Sequence, residues 1–230
     1  MTALHEDPRV VRGMEAQFAQ RRRLLDAGAR PLGWKLGVGT PAAMEQAGTS
    51  APLVGFLTDA TLLESGAEVA VGEWTKPGAE PEIAVHVAAD VAPDAGPDEA
   101  RAAIGGLGPA IEVVDIEVPM DAVEPIVGGD IFHRGVILGP AQPVEPGAVR
   151  ADVMLEGQPA QAVDDPFGVV GDPAAGVQHV ATFLAAFGET LRAGEVIILG
   201  SLVPLIAVAP GDALTHAVDP LGTLAVAFTA

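Results

Sequence analysis

Apolar and polar positions alternate most clearly over Ala79–Val87, where Ile83, Val85 and Val87 share one parity and Glu80, Glu82, Ala84 and His86 share the other. Period two predicts a β-strand with both glutamates on one face. Similar patterning predicts strands over 33–38, 54–57, 68–71, 110–118, 135–138, 151–155, 195–199, 202–208, 213–218 and 223–228, the last two joined as a hairpin by Asp219-Pro220-Leu221-Gly222. Helical spacing runs from Asp7-Pro8 through Val10, Met14, Phe18 and Leu24 to a stop at Gly28. It recurs from Asp172-Pro173 through Val177, Val180, Phe183, Leu184 and Phe187 to Gly188, with shorter helices expected over 40–46 and 98–104. Strands far outnumber helices and do not alternate with them regularly. That pattern argues for an α+β fold with a curled or sandwiched sheet rather than a doubly wound parallel one. No internal repeat or linker divides the chain, so one catalytic domain over 1–230 is expected, with 1–50 as an N-terminal helical part packing on it.

Composition narrows the function classes. Of 230 residues, 49% are hydrophobic, enough for one substantial core. The absence of cysteine removes disulfides, thiolate metal sites and a cysteine nucleophile. The formal charge of −19 would repel phosphate backbones, which argues against nucleic acid and anionic membranes as partners. The longest uncharged run, Val196–Gly211, is interrupted by Pro204 and Pro210 and is too short to span a bilayer. The start of the chain, Met1–Asp7, lacks a basic-then-apolar leader pattern, so a cytoplasmic location is expected.

The paired glutamates carry the candidate chemistry. Two carboxylates side by side on an apolar sheet repel one another and resist desolvation, so the pair calls for solvent or a cation. A third acid, Glu112, lies in the apolar stretch Ile111–Val114 on the parity of Val114. Three carboxylates on adjacent strands would suit a hard divalent ion, Mg²⁺ or Mn²⁺, and leave positions for a chelating 2-oxo acid. His86 shares the glutamate face and is read as structural. Only two lysines occur, Lys35 and Lys76. Lys35, inside a glycine-flanked apolar segment, would have a depressed pKa near a metal and could exchange protons with an enolate. Asp59 is read either as a helix N-cap or as an acid/base group.

Four ordered stretches then carry a resemblance: Gly33-Trp34-Lys35-Leu36-Gly37, Gly55-Phe56-Leu57-Thr58-Asp59, Glu80-Pro81-Glu82-Ile83-Ala84 and Pro109 to Asp115. With Val136–Gly139, Leu191–Ile197 and Leu199–Leu202, they resemble the 2-oxopent-4-enoate hydratase and 4-oxalocrotonate decarboxylase group of the fumarylacetoacetate hydrolase superfamily. The resemblance implies that superfamily's β-rich mixed-sheet fold and a Mg²⁺ or Mn²⁺ site on Glu80, Glu82 and Glu112. It also implies Lys35 and Asp59 as proton-transfer groups. The implied activity is a hydro-lyase adding water to a 2-hydroxy-2,4-dienoate or 2-oxo-4-enoate in aromatic catabolism. Alternatives on the same scaffold are decarboxylation of a 2-oxo dicarboxylate and hydrolysis of an acylpyruvate C–C bond. Implied partners are a small 2-oxo acid, further copies of the chain and a related decarboxylase. The chain departs from the group's pattern at Ile116-Glu117, where Ser-Arg is expected, at Gly129–Arg134, where an Asp-Asn-x-Ser-like segment is expected, and at Leu199, where Thr is expected. These departures motivate a reading from another class, a non-catalytic subunit that keeps the fold.

Overall fold

The computed structural model describes residues 3–143 and 145–230, so the first two residues of the amino-terminal stretch lie outside it. The helices are α1 (Pro8–Asp26), α2 (Pro41–Ala47), α3 (Pro97–Ala102), α4 (Val123–Gly128), α5 (Pro166–Val170) and α6 (Pro173–Ala185). Strands β1 (Pro31–Gly37), β2 (Leu53–Thr58), β3 (Leu62–Leu63), β4 (Ala67–Ala70), β5 (Pro77–Val87), β6 (Ile104–Asp115) and β7 (His133–Leu138) come first along the chain. They are followed by β8 (Arg150–Leu155), β9 (Gln161–Val163), β10 (Val196–Ile198), β11 (Ile206–Ala207), β12 (Ala213–Asp219) and β13 (Gly222–Thr229). Helix starts obey the capping chemistry of the sequence: Asp7, Thr40 and Asp172 each accept a backbone N–H, with proline in the first turn.

Two sheets result. The larger runs β2-β1-β10-β5-β6-β7-β3, with β11 pairing the other end of β5, and the smaller runs β4-β13-β12-β8-β9. Pairing is mixed: β1 with β10, β3 with β7 and β4 with β13 are parallel. On one face of the larger sheet, Ile83, Val85 and Val87 join Val10, Met14, Phe18, Val177, Val180 and Leu184 in the main core. A second core, with Ile111 and Val113 against Leu214, Val226 and Phe228, joins the two sheets. The mixed, β-rich architecture bears out the α+β expectation. Among the described residues, no helix is long and apolar enough to cross a membrane.

Three elements differ from expectation. The helix expected over 98–104 ends at Ala102, because Ile104–Gly108 pairs with β5 and lengthens β6 by six residues before Ala110. Gly105 and Gly106 read as a stop in sequence, yet here they and Gly108 admit neighbouring chain at distances that would crowd a Cβ. The strand expected over 202–208 shrinks to Ile206–Ala207, since Leu202 bonds singly to Pro81 and the chain turns through Pro204. Strand β6 ends at Asp115, whose carboxylate accepts the Thr75 and Lys76 N–H groups, instead of running to Val118. Helix α4 and strands β3 and β9 are short and carried no clear periodic signal.

Gly33 is the tightest point of the framework. At φ 149° it pairs with Val196, and a Cβ there would lie 2.0 Å from the Val196 carbonyl oxygen. Gly33→Ala is expected to part β1 from β10 at a cost of about 3 kcal/mol or more, lowering Tm by roughly 6–12 °C. A thermal melt within about 2 °C of wild type would contradict this.

Candidate metal centre

Register alone puts the candidate groups on one face. Lys35 pairs with Ile198, Ile198 with Ala84 and Ala84 with Gly108. Paired residues share a face, so Lys35 lies on the side of Glu80, Glu82 and Ala110. Glu112 stands directly opposite Glu80 in the β5–β6 ladder. Three strand steps separate Lys35 from Glu112, about 14 Å across a flat sheet and four residues along it, too far for two side chains to meet. They do meet: Lys35 Nζ donates to Glu112 Oε1. The larger sheet therefore curls strongly, and these residues point into the hollow. Gly55, opposite Lys35, makes room, because a Cβ there would lie 2.6 Å from Asp130 Oδ1 and 2.8 Å from Lys35 Cγ.

Glu80, Glu82 and Glu112 each offer an oxygen within 4.8 Å of the others. Glu82 and Glu112 are fully buried, Lys35 is 1% exposed, and Glu80 keeps part of its surface open. Glu82 Oε2 accepts the Gly200 N–H at 2.6 Å. Glu82 Oε1 and Glu112 Oε2 are buried with no hydrogen-bond partner among the described residues. Orphaned buried carboxylate oxygens are costly. An all-oxygen set with two such atoms fits Mg²⁺ or Mn²⁺.

The charges are unevenly matched. Burial, then the Glu112 charge, pushes Glu80 up to about 7. Burial, then the Glu112 and Glu80 charges, holds Glu82 well above the usual carboxylate range. Burial also acts to raise Glu112, but the Lys35 ammonium and the His133 hydrogen bond outweigh it and hold Glu112 below the ordinary value. Lys35 differs from expectation. Burial works to lower it, yet Glu112, Asp130 and Glu80 together hold it above the ordinary lysine value. The expected depression presumes that a cation has already neutralised those carboxylates.

Three residues that sequence reasoning did not assign to the site belong to it: Asp130, Ile131 and His133. Asp130, Ile131 and Phe132 all adopt left-handed φ angles of 58°, 51° and 67°. Such a run costs about 1–3 kcal/mol per residue and is held by its surroundings. From it, Asp130 Oδ1 accepts the Phe56 N–H at 2.9 Å, and the Ile131 carbonyl accepts Lys35 Nζ at 2.9 Å. His133 Nδ1 then lies 2.7 Å from Glu112 Oε1. Burial pushes Asp130 well up and His133 down, in each case toward the neutral form. A polar residue after Gly129 was the available signal, but the inward turn of His133 depends on strand register.

Asp59 is not brought into this cluster. Its carboxylate accepts the Arg30 N–H at 2.7 Å and pairs with the Arg30 guanidinium at 2.7 Å. His86 shares the glutamate face but stands apart from the three acids. Of the departures, Leu199 is buried in the main core near Gly176, Ile116 packs against that core, and Glu117 pairs with Arg134 at 2.6 Å. Among these, His133 alone contacts a carboxylate of the centre.

A curled mixed sheet presenting three carboxylates and a buried lysine defines the class of protein. The chain belongs to the fumarylacetoacetate (FAA) hydrolase C-terminal family, whose model matches residues 34–229. It is 32% identical over 217 residues to a 2-hydroxyhexa-2,4-dienoate hydratase of Comamonas testosteroni, covering 90% of this chain and 82% of the relative. It is 27% identical over 222 residues to a 4-oxalocrotonate decarboxylase of a Pseudomonas species, covering 93% and 86%. Among solved structures, 4-oxalocrotonate decarboxylase from Pseudomonas putida G7, complexed with magnesium and adipate, superposes with TM-score 0.83 at 28% identity, covering 94% of this chain and 86% of that one. A fumarylpyruvate hydrolase from Pseudomonas aeruginosa, with Mn²⁺ and pyruvate, shares the fold at TM-score 0.69, 17% identity and coverage of 87% and 89%.

The pKa directions fix the pH response. Folding favours protonated Glu80, Glu82 and Asp130, so the folded state binds more protons than the unfolded chain above the usual carboxylate range. Stability of the metal-free protein therefore falls as pH rises through about 7. Buried His133 and His216 act oppositely, and mainly below the ordinary histidine pKa. Between about pH 6.5 and 8, the metal-free protein should lose Tm, and saturating Mg²⁺ should remove that loss. Calorimetric titration in buffers of different ionisation enthalpy should show proton release on metal binding at pH 6.5. Binding with no proton release would contradict the assignment of Glu80.

Proposed function

We propose that the chain is a divalent-metal-dependent hydro-lyase acting on a 2-hydroxy-2,4-dienoate or 2-oxo-4-enoate. The observation that carries the reading is the set of three carboxylates, two with orphaned buried oxygens, facing one buried lysine. The family and its hydratase relatives support it. Glu80, Glu82 and Glu112 would hold Mg²⁺ or Mn²⁺, as the magnesium and manganese in neighbouring structures suggest. When bound, such an ion acts as a Lewis acid on the carboxylate and 2-oxygen of a chelated substrate. Lys35 moves protons as water adds to the conjugated double bond, its ammonium aimed by Glu112 and the Ile131 carbonyl. Asp59 is assigned a helping role in proton transfer that requires its pair with Arg30 to open.

Decarboxylation of a 2-oxo dicarboxylate is the second reading, favoured by the relatives that carry that name. It needs a cation for the second carboxylate. Arg134, next along the chain from His133, has its guanidinium taken by Glu117, which favours the uncharged tail of a dienoate. Self-association, a complex with a related decarboxylase and a cytoplasmic location complete the proposal and rest on the resemblance and composition.

EDTA should abolish turnover of a dienoate substrate, with Mg²⁺ or Mn²⁺ restoring it. Activity that survives chelation would sink the metal role. Glu82→Gln should lose metal binding, whereas Lys35→Ala should bind metal and lose roughly 10²–10⁴-fold in kcat. Asp59→Asn should cost less than Lys35→Ala. A Lys35→Ala variant with normal turnover would remove lysine from the mechanism. Carbon dioxide release without hydration would select the decarboxylase reading. Absence of Mn²⁺ binding by calorimetry would select the non-catalytic subunit.

A further inference from the structure

His133 is turned toward the carboxylates by an irregularity in register. Along β6 and β7, Glu112 pairs with Val136 and Val113 with Gly135, but Val114 pairs with His133, leaving Arg134 as an extra residue. Without that bulge Val114 would face Arg134, and His133 would point to the opposite side of the sheet. The bulge and the left-handed run at 130–132 therefore deliver an imidazole, rather than a guanidinium, to Glu112.

The hydrogen bonds around this ring determine its proton. Glu112, paired with the Lys35 ammonium, is a carboxylate and offers only acceptors, so His133 Nδ1, at 2.7 Å, must carry the hydrogen. On the other side, His133 Nε2 lies 2.9 Å from Thr61 Oγ1, which also lies 3.2 Å from the Thr58 carbonyl. The threonine has one proton to give. In a neutral ring, Nε2 is a bare acceptor, and the shorter contact receives that proton. Glu112 Oε1 then accepts from both Lys35 and His133, while Oε2 remains buried and unpartnered.

We infer that His133, held by Thr61 as the Nδ1–H tautomer, is a positioning residue that fixes Glu112 Oε1 and presents Oε2 to the cation. The inference rests on the metal reading above, although the tautomer can be read without metal. A buried partner that orients a ligating group in this way typically changes metal affinity 10–100-fold.

The test uses the full chain labelled with ¹⁵N-histidine. Two-bond ¹H–¹⁵N spectra of the metal-free protein near pH 8 should show His133, assigned by its loss in His133→Asn, protonated at Nδ1 and bare at Nε2. An Nε2–H tautomer overturns the inference. Calorimetric titration with Mn²⁺ should find His133→Leu about 10–100-fold weaker than wild type. His133→Asn, whose amide can still donate to Glu112, should stay within about threefold. Thr61→Val should weaken binding and Thr61→Ser restore it. Wild-type affinity in His133→Leu overturns the inference. If that variant fails to fold, as judged by circular dichroism, the Thr61 pair and the tautomer decide. If wild type takes up no Mn²⁺, the metal reading fails, and the spectra still decide the hydrogen-bond order.

Discussion

A deficit of positive charge inside a curled sheet governs this molecule. Strand register directs Glu80, Glu82 and Glu112 into one hollow, where Lys35 pairs with Glu112. One ammonium cannot neutralise three carboxylates in a setting of low dielectric. The metal-free fold resolves the excess by shifting Glu80 and Glu82 toward their protonated forms. A divalent cation resolves it differently, by letting all three ionise. Fold and chemistry are thus linked through the same charges, and a group that would be a liability in an ordinary core becomes the reason for a cofactor.

The surrounding structure spends conformational freedom to keep that arrangement. Gly55 clears space beside Lys35, Gly200 donates its N–H to Glu82, and three consecutive residues accept left-handed geometry between α4 and β7. Each device lies on a different part of the chain, yet all act within reach of one salt bridge. Backbone strain of this kind persists where neighbours over-determine it. Here those neighbours are the Phe56 N–H, the Lys35 ammonium and the Glu112 carboxylate.

Much of this was legible in the chain because it follows from local rules. Period two placed Glu80 and Glu82 together, Asp–Pro pairs marked the starts of α1 and α6, and the rarity of lysine singled out Lys35. The α+β class followed from the balance of strands and helices. What escaped depends on tertiary register. Gly105 and Gly106 read as a terminator and proved to lie in the first part of β6, because close approach of neighbouring chain makes glycine necessary there. The inward turn of His133 needs a one-residue bulge that its own sequence does not announce. Asp59 was legible as an acid, but its engagement with Arg30 was not.

The departures from the family pattern look different once they are placed. Leu199 and Ile116 replace polar residues in sequence, yet both pack with the main core, so they do not strip donors from the carboxylate hollow. Glu117 is met by Arg134, an ion pair in which each partner stands at a departing position. Of the departing side chains, His133 alone contacts a carboxylate of the centre, and it adds a donor to Glu112. A subunit that had lost its chemistry would have no need to retain three converging carboxylates, a buried lysine and a strained turn that serves both. Their joint presence, each costly by itself, argues against the reading as a non-catalytic subunit.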